Sequence, residues 1–149
     1  MADNYLIVVG VDGSDGGRRA LQWATREAAD RGGTVQAVAA WRWDEPGGGL
    51  ADGVEGDPRQ LAADILEREV ATIGKVPVAC EVREGRAADV LVAAARDADL
   101  LVLGSHGHSR VWHTVLGSVT EECARRATCP VVVIPVPQPA RRPPAPVPR

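Results

Sequence analysis

Residues 100–119 read LLVLGSHGHSRVWHTVLGSV, and how this stretch parses decides the fold. Residues 100–103 form a short apolar run of the kind that fills a strand covered on both faces. The chain then turns at Gly104, with Gly107 three residues on, and nine residues separate Gly107 from Gly117-Ser118. Ser118 and Glu121 have the S-x-x-E spacing of a capping box, which predicts a helix starting there. Strand, glycine turn, loop and helix N-terminus in that order leave main-chain N–H groups and a positive dipole end facing outward. Both attract phosphate.

Working outward, residues 87–96 read as a helix that buries Val90, Leu91, Ala94 and Ala95. Before it, residues 76–83 alternate, with Val78, Cys80 and Val82 on one side and Ala79, Glu81 and Arg83 on the other. Alternation marks a half-covered strand and predicts a place at a sheet edge. After the glycine stretch, a helix over 119–127 leads into a last strand over 130–136. At the other end of the chain, YLIVVGV at 5–11 is a central strand, and Asp12-Gly13-Ser14-Asp15 supplies a turn and cap residues. A helix over 17–31 carries Ala20, Leu21, Ala24 and Ala28 on one face and ends at Gly32-Gly33. Residues 34–41 are the second strand. Residues 42–56 contain PGGGLADG and no periodicity, which predicts a mobile loop. Asp57 and Pro58 then start a helix as N-cap and first residue. Its apolar stripe is Leu61, Ala62, Ile65, Leu66, Val70 and Ile73. Strands alternating with helices imply an α/β fold with a parallel sheet and right-handed crossovers. Residues 137–149 are rich in proline and predict a disordered tail, leaving 1–136 as the domain.

The totals exclude several classes. The 149 residues suit one domain, and with no Phe the core must be Val, Leu, Ile and Ala. A net charge of −3 argues against nucleic acid as the partner. No apolar run reaches the roughly 18 residues a membrane span needs. The N-terminal sequence has neither the basic region nor the cleavage site of a signal peptide. Three cysteines, Cys80, Cys123 and Cys129, are too few and odd in number for a disulfide framework, so a reducing cytoplasm is expected. Cys80 and Cys123 read as small buried apolar residues, and Cys129 as an ordinary residue ahead of the last strand.

Gly104-x2-Gly107-x9-Gly117-Ser118 matches G-x2-G-x9-G-[S/T], the signature of the ATP-binding branch of the universal stress protein family. The resemblance extends from Tyr5 to Val136 through the segments VGVDGSD, ADLLVLGSHG and CPVVVIPV. It implies a Rossmann-like fold of the adenine nucleotide alpha hydrolase type. A single five-stranded parallel sheet of order 3-2-1-4-5 would carry helices on both faces. In such a sheet ligands bind beyond the carboxyl ends of the strands, where the winding direction reverses. That point falls between the first and fourth strands, where the loops after Val11 and Leu103 meet.

An isolated Asp after a strand is ordinarily a turn or cap residue. At the switch point, and by resemblance to family members in which this position contacts ribose or phosphate-bound metal, Asp12 is assigned to the site with Gly10 and Val11. Gly104, Ser105, His106, Gly107, His108, Ser109 and Arg110 form the expected phosphate cradle, and Gly117, Ser118 and Val119 complete it. Arg110 can fork onto phosphate oxygens. ATP-binding relatives often carry a further basic residue before the helix. Here Trp112-His113-Thr114 stands there, so AMP or ADP is allowed beside ATP, with Mg. Ala39 and Ala40 leave room for adenine, whereas Trp41 suits packing better than base contact. His106, His108 and His113 cluster, but no carboxylate or cysteine at ligand spacing supports a metal site.

No nucleophile–base triad, paired carboxylates or P-loop lysine is present, and no catalytic residue is assigned. The expected function is an ATP-binding regulatory module of the stress response. Two alternatives stay open: a slow ATPase or phosphotransferase in which Asp12 orients a metal, and an interaction scaffold that binds no nucleotide. PVVVIPV at 130–136 is apolar without alternation, yet the implied strand order puts it at an edge. An exposed apolar edge is a hazard that a two-fold homodimer through this strand would remove, and the resemblance implies the same dimer.

Overall fold

The structure is a computed structural model and describes residues 4–42, 56–74, 76–108 and 116–137. In chain order the elements are β1 (Leu6–Gly10), α1 (Asp15–Arg31), β2 (Thr34–Trp41), α2 (Pro58–Ala71), β3 (Val78–Glu84), α3 (Ala87–Ala94), β4 (Leu100–Gly104), α4 (Ser118–Arg126) and β5 (Val131–Ile134). The strands form one sheet of order β3-β2-β1-β4-β5, and every neighbouring pair is parallel.

β1 is central because its side chains are apolar on both faces. Ile7 and Val9 join Leu21, Ala24 and Ala28 of α1 and Leu66 of α2 in one core. Val8 joins Val90 and Leu91 of α3, Leu101 and Cys123 in the core on the opposite face. Each of the larger side chains contributes about 1.5–3 kcal/mol when fully buried. α1 ends at Arg31 as its sequence predicts, and begins at Asp15, two residues before the expected start. Ser14 Oγ accepts the Gly17 N–H at 3.1 Å, and Gly32 closes the helix at φ 65°, a left-handed conformation natural to glycine. Asp57 caps α2 by accepting the Arg59 N–H at 3.0 Å, with Pro58 as its first residue.

Three further details depart from the sequence reading. Gly117, not Ser118, is the N-cap of α4, and no side chain caps the helix. The tertiary contacts decide this: the Gly117 N–H donates to Ser105 O at 2.7 Å, and Thr120 Oγ1 donates to Gly104 O at 2.7 Å. Together they start the helix one residue early. Cys80 is exposed although Val78 and Val82 on either side pack on the core. β3 is an edge strand, and what raises the pKa of this thiol is first its partial burial and then the charge of Glu67 on α2. Glu69, absent from the apolar stripe of α2, is buried. Arg18 of α1 satisfies it with a two-toothed ion pair at 2.9 and 3.1 Å. The loop expected at 42–56 and the tail expected at 137–149 fall mostly outside the described residues.

Candidate functional site

A cleft of about 570 Å³ opens at the carboxyl ends of β1, β2 and β4, a volume typical of small-molecule sites (roughly 300–1,000 Å³). Gly10 lines it from the end of β1 and Val11 and Asp12 from the turn after it, Ala39 and Ala40 from β2, and Leu103 and Gly104 from β4. α4 supplies Gly117, Ser118, Val119 and Thr120 at one side. The opposite side is built by Pro58, Leu61, Ala62 and Ile65 of α2. This last wall was missed in the sequence. Leu61 and Ile65 lie in the same apolar stripe as the core residues, and periodicity cannot tell a side chain facing a cleft from one facing the sheet.

Asp12 is fixed from both ends. Its Oδ1 accepts the Ser14 N–H at 2.9 Å and the Ser14 hydroxyl. Its main-chain oxygen accepts from His108 Nε2 at 2.5 Å. Oδ2 faces the glycine loop, since a Cβ placed on Gly107 would lie 2.7 Å from it. The β1 and β4 loops therefore meet through Asp12, and Gly107 permits the approach.

The glycines divide by task. A Cβ on Gly104 would lie 2.6 Å from the Gly16 main chain, and one on Gly16 would lie 2.2 Å from His106 O. This pair lets the N-terminus of α1 press against the β4 loop, a packing need independent of any ligand. Gly117 has an ordinary extended conformation at φ −67°. The first-turn N–H groups of α4, on Ser118, Val119 and Thr120, have no partner within the helix and stand at its positive dipole end.

The predicted residues do not all reach the cleft. Gly104, His106, Gly107, His108, Gly117, Ser118 and Val119 line it with Gly10, Val11, Asp12 and Ala40. Ser105 does not. It is buried, its N–H donates to Ile134 O at 2.8 Å and its carbonyl accepts from Gly117. Ser105 Oγ accepts the Val136 N–H at 2.9 Å and lies 3.1 Å from His106 Nδ1. Ser109, Arg110 and the 112–114 stretch lie outside the described residues. Among the described residues that line the cleft Asp12 is the single carboxylate, and no group of three His, Cys, Asp or Glu among the described residues could hold a metal on its own.

Residues 6–135 match the universal stress protein family. The chain belongs to the universal stress protein family. A universal stress protein of Mycobacterium tuberculosis is 34% identical over 131 residues, which cover 86% of this chain and 47% of that protein. One from Mycolicibacterium smegmatis is 33% identical over 133 residues, covering 86% and 45%. The chain thus spans about half the length of these curated relatives. Among solved structures, a universal stress protein in complex with cAMP superposes with a TM-score of 0.66 at 27% identity, covering 87% of this chain and 96% of that one. The Archaeoglobus fulgidus universal stress protein in complex with dAMP gives 0.60 at 27% identity, covering 90% and 99%.

Proposed function

We propose that the cleft binds an adenine nucleotide and that the protein acts as a nucleotide-dependent regulatory module. One observation carries this reading: the Gly107 main chain, Asp12 and the open N-terminus of α4 converge at one end of a cleft whose α2 wall is apolar. Phosphates would lie against Gly107, His108 and the first turn of α4, where N–H groups and dipole favour anions. The base would lie between Ala39, Ala40 and the apolar wall of α2, among small or apolar side chains. ATP is the favoured ligand from the glycine spacing, with ADP and AMP as weaker ones. The fit to Mg rests on chemistry: one carboxylate plus phosphate oxygens is a usual magnesium environment, and Asp12 Oδ2 is available for it. The adenine nucleotides held by the two relatives support the same assignment. The working form would be a cytoplasmic homodimer joined through β5.

Mass spectrometry of small molecules released by denaturing freshly purified protein tests this directly. Calorimetric titration with ATP, ADP, AMP and GTP, with and without Mg, then ranks them. Recovery of an adenine nucleotide and micromolar binding are expected. No released nucleotide together with flat titrations would leave the scaffold reading in its place.

A further inference from the structure

Ser105 spends every polar atom on tying chain segments together. Its N–H goes to Ile134 O and its carbonyl accepts from Gly117, the N-cap of α4. Its hydroxyl accepts the Val136 N–H at 2.9 Å and pairs with His106 Nδ1 at 3.1 Å. Val136 reinforces the arrangement, since its Cγ2 would lie 3.1 Å from a Cβ on Gly16. Gly16 in turn lies against the main chain of His106 and Gly104. The segment leaving β5 is thus packed directly behind the loop whose front faces the cleft.

We propose that Ser105 is a positioning residue: it transmits the docking of Ile134 to Val136 to the anion end of the cleft by fixing Gly117 and His106. It touches no ligand. Undocking of the segment after β5 would free the Ser105 hydroxyl, loosen the Gly117 N-cap and let the first turn of α4 drift from the phosphate position. Occupancy of the anion end and docking of residues 134–136 are then linked in both directions. The inference rests on the nucleotide reading for its ligand but not for the tie itself.

Two variants remove opposite ends of one hydrogen bond without entering the cleft: Ser105→Ala removes the acceptor and Val136→Pro removes the donor. Circular dichroism first establishes that each is folded. Loss of one such bond is expected to weaken ATP binding about five- to tenfold, with adenosine affinity unchanged because only phosphate depends on α4. The double variant should bind ATP no more weakly than either single one. A merely destabilised protein would lose ATP and adenosine alike, and that result, or unchanged ATP affinity, overturns the proposal. Hydrogen exchange on the ligand-free protein provides the second arm. The Gly117 amide should exchange faster in both variants than in the wild type. If the wild type binds no adenine nucleotide, the proposed function falls, and the tie is judged by exchange alone. Unchanged Gly117 protection overturns it.

Discussion

His108 Nε2 meets the main-chain oxygen of Asp12 at 2.5 Å, joining two loops 96 residues apart in sequence. A carbonyl can only accept, so the ring carries its proton on Nε2. The bond closes the seam between the β1 and β4 loops at the cleft mouth. Removing it in His108→Ala should weaken ATP binding several-fold, in line with about 1 kcal/mol for one hydrogen bond. His108→Gln keeps a side-chain donor and should recover part of the loss. Isothermal titration of the three proteins decides it, and equal affinities would remove His108 from the site.

Gly107 and Asp12 should be energetically coupled. A methyl group at 107 would lie 2.7 Å from Asp12 Oδ2, closer than real contacts allow, so the carboxylate must move. Gly107→Ala is expected to abolish measurable nucleotide binding in a folded protein. In the Asp12→Ala background the same change should cost much less stability, giving a coupling of about 0.5–3 kcal/mol in a double-mutant cycle. Gly117→Ala is milder, because its Cβ would lie 3.3 Å from Ser105 O at a backbone conformation alanine adopts readily. It should fold and bind ATP more weakly. Additive effects at 107 and 12 would contradict the contact.

Acid should weaken the join between α3 and α4. Arg86 and Arg126 hold Asp89 at 3.1 and 2.7 Å, and their hydrogen bonds lower its pKa from 3.8 to about 2. A depressed carboxylate stabilises the fold above its unfolded value, and the contribution fades as pH falls from 3.8 through about 2. Thermal melts at a series of pH values should therefore decline more steeply in this window for the wild type than for Asp89→Asn. Asp89 is half exposed, so added salt should shrink the difference. Parallel curves would show that the network contributes nothing.

The cysteines should label in sequence of exposure. Cys80 is exposed, and Cys123 is buried, its thiol pushed up to about 11 by burial. A maleimide added to native protein should modify Cys80 within minutes and leave Cys123 untouched until denaturant is present. Peptide mass spectrometry reads both sites, and rapid native labelling of Cys123 would mean that α4 opens readily.

β5 presents four half-buried apolar residues at a sheet edge that no other strand among the described residues pairs with. Pairing with its copy across a two-fold axis would cover that edge. Light scattering should give a dimer at tens of micromolar for the wild type. Val132→Asp should give a monomer, with circular dichroism to confirm its fold. A monomeric wild type, or a folded Val132→Asp dimer, would rule out this interface.

Much of the fold is legible in local sequence because its signals are local. The continuous apolar runs at 6–10 and 100–103 mark central strands, Ser14 and Gly32 bound α1, and Asp57-Pro58 opens α2. The strand order followed from family resemblance, and the sheet has that order. Gly10, Asp12, Gly107 and Ser118 were readable as cleft residues because the ends of β1 and β4 must meet in such a sheet. Tertiary structure alone decided the rest. The wall made by Leu61 and Ile65, the pairing of buried Glu69 with exposed Arg18 and the exposure of Cys80 depend on which elements cover which faces. The start of α4 at Gly117 and the role of Ser105 depend on hydrogen bonds to residues 12 to 31 positions away. Periodicity records which side of an element is apolar. What that side meets, and which polar atom finds a distant partner, is settled only when the chain closes on itself.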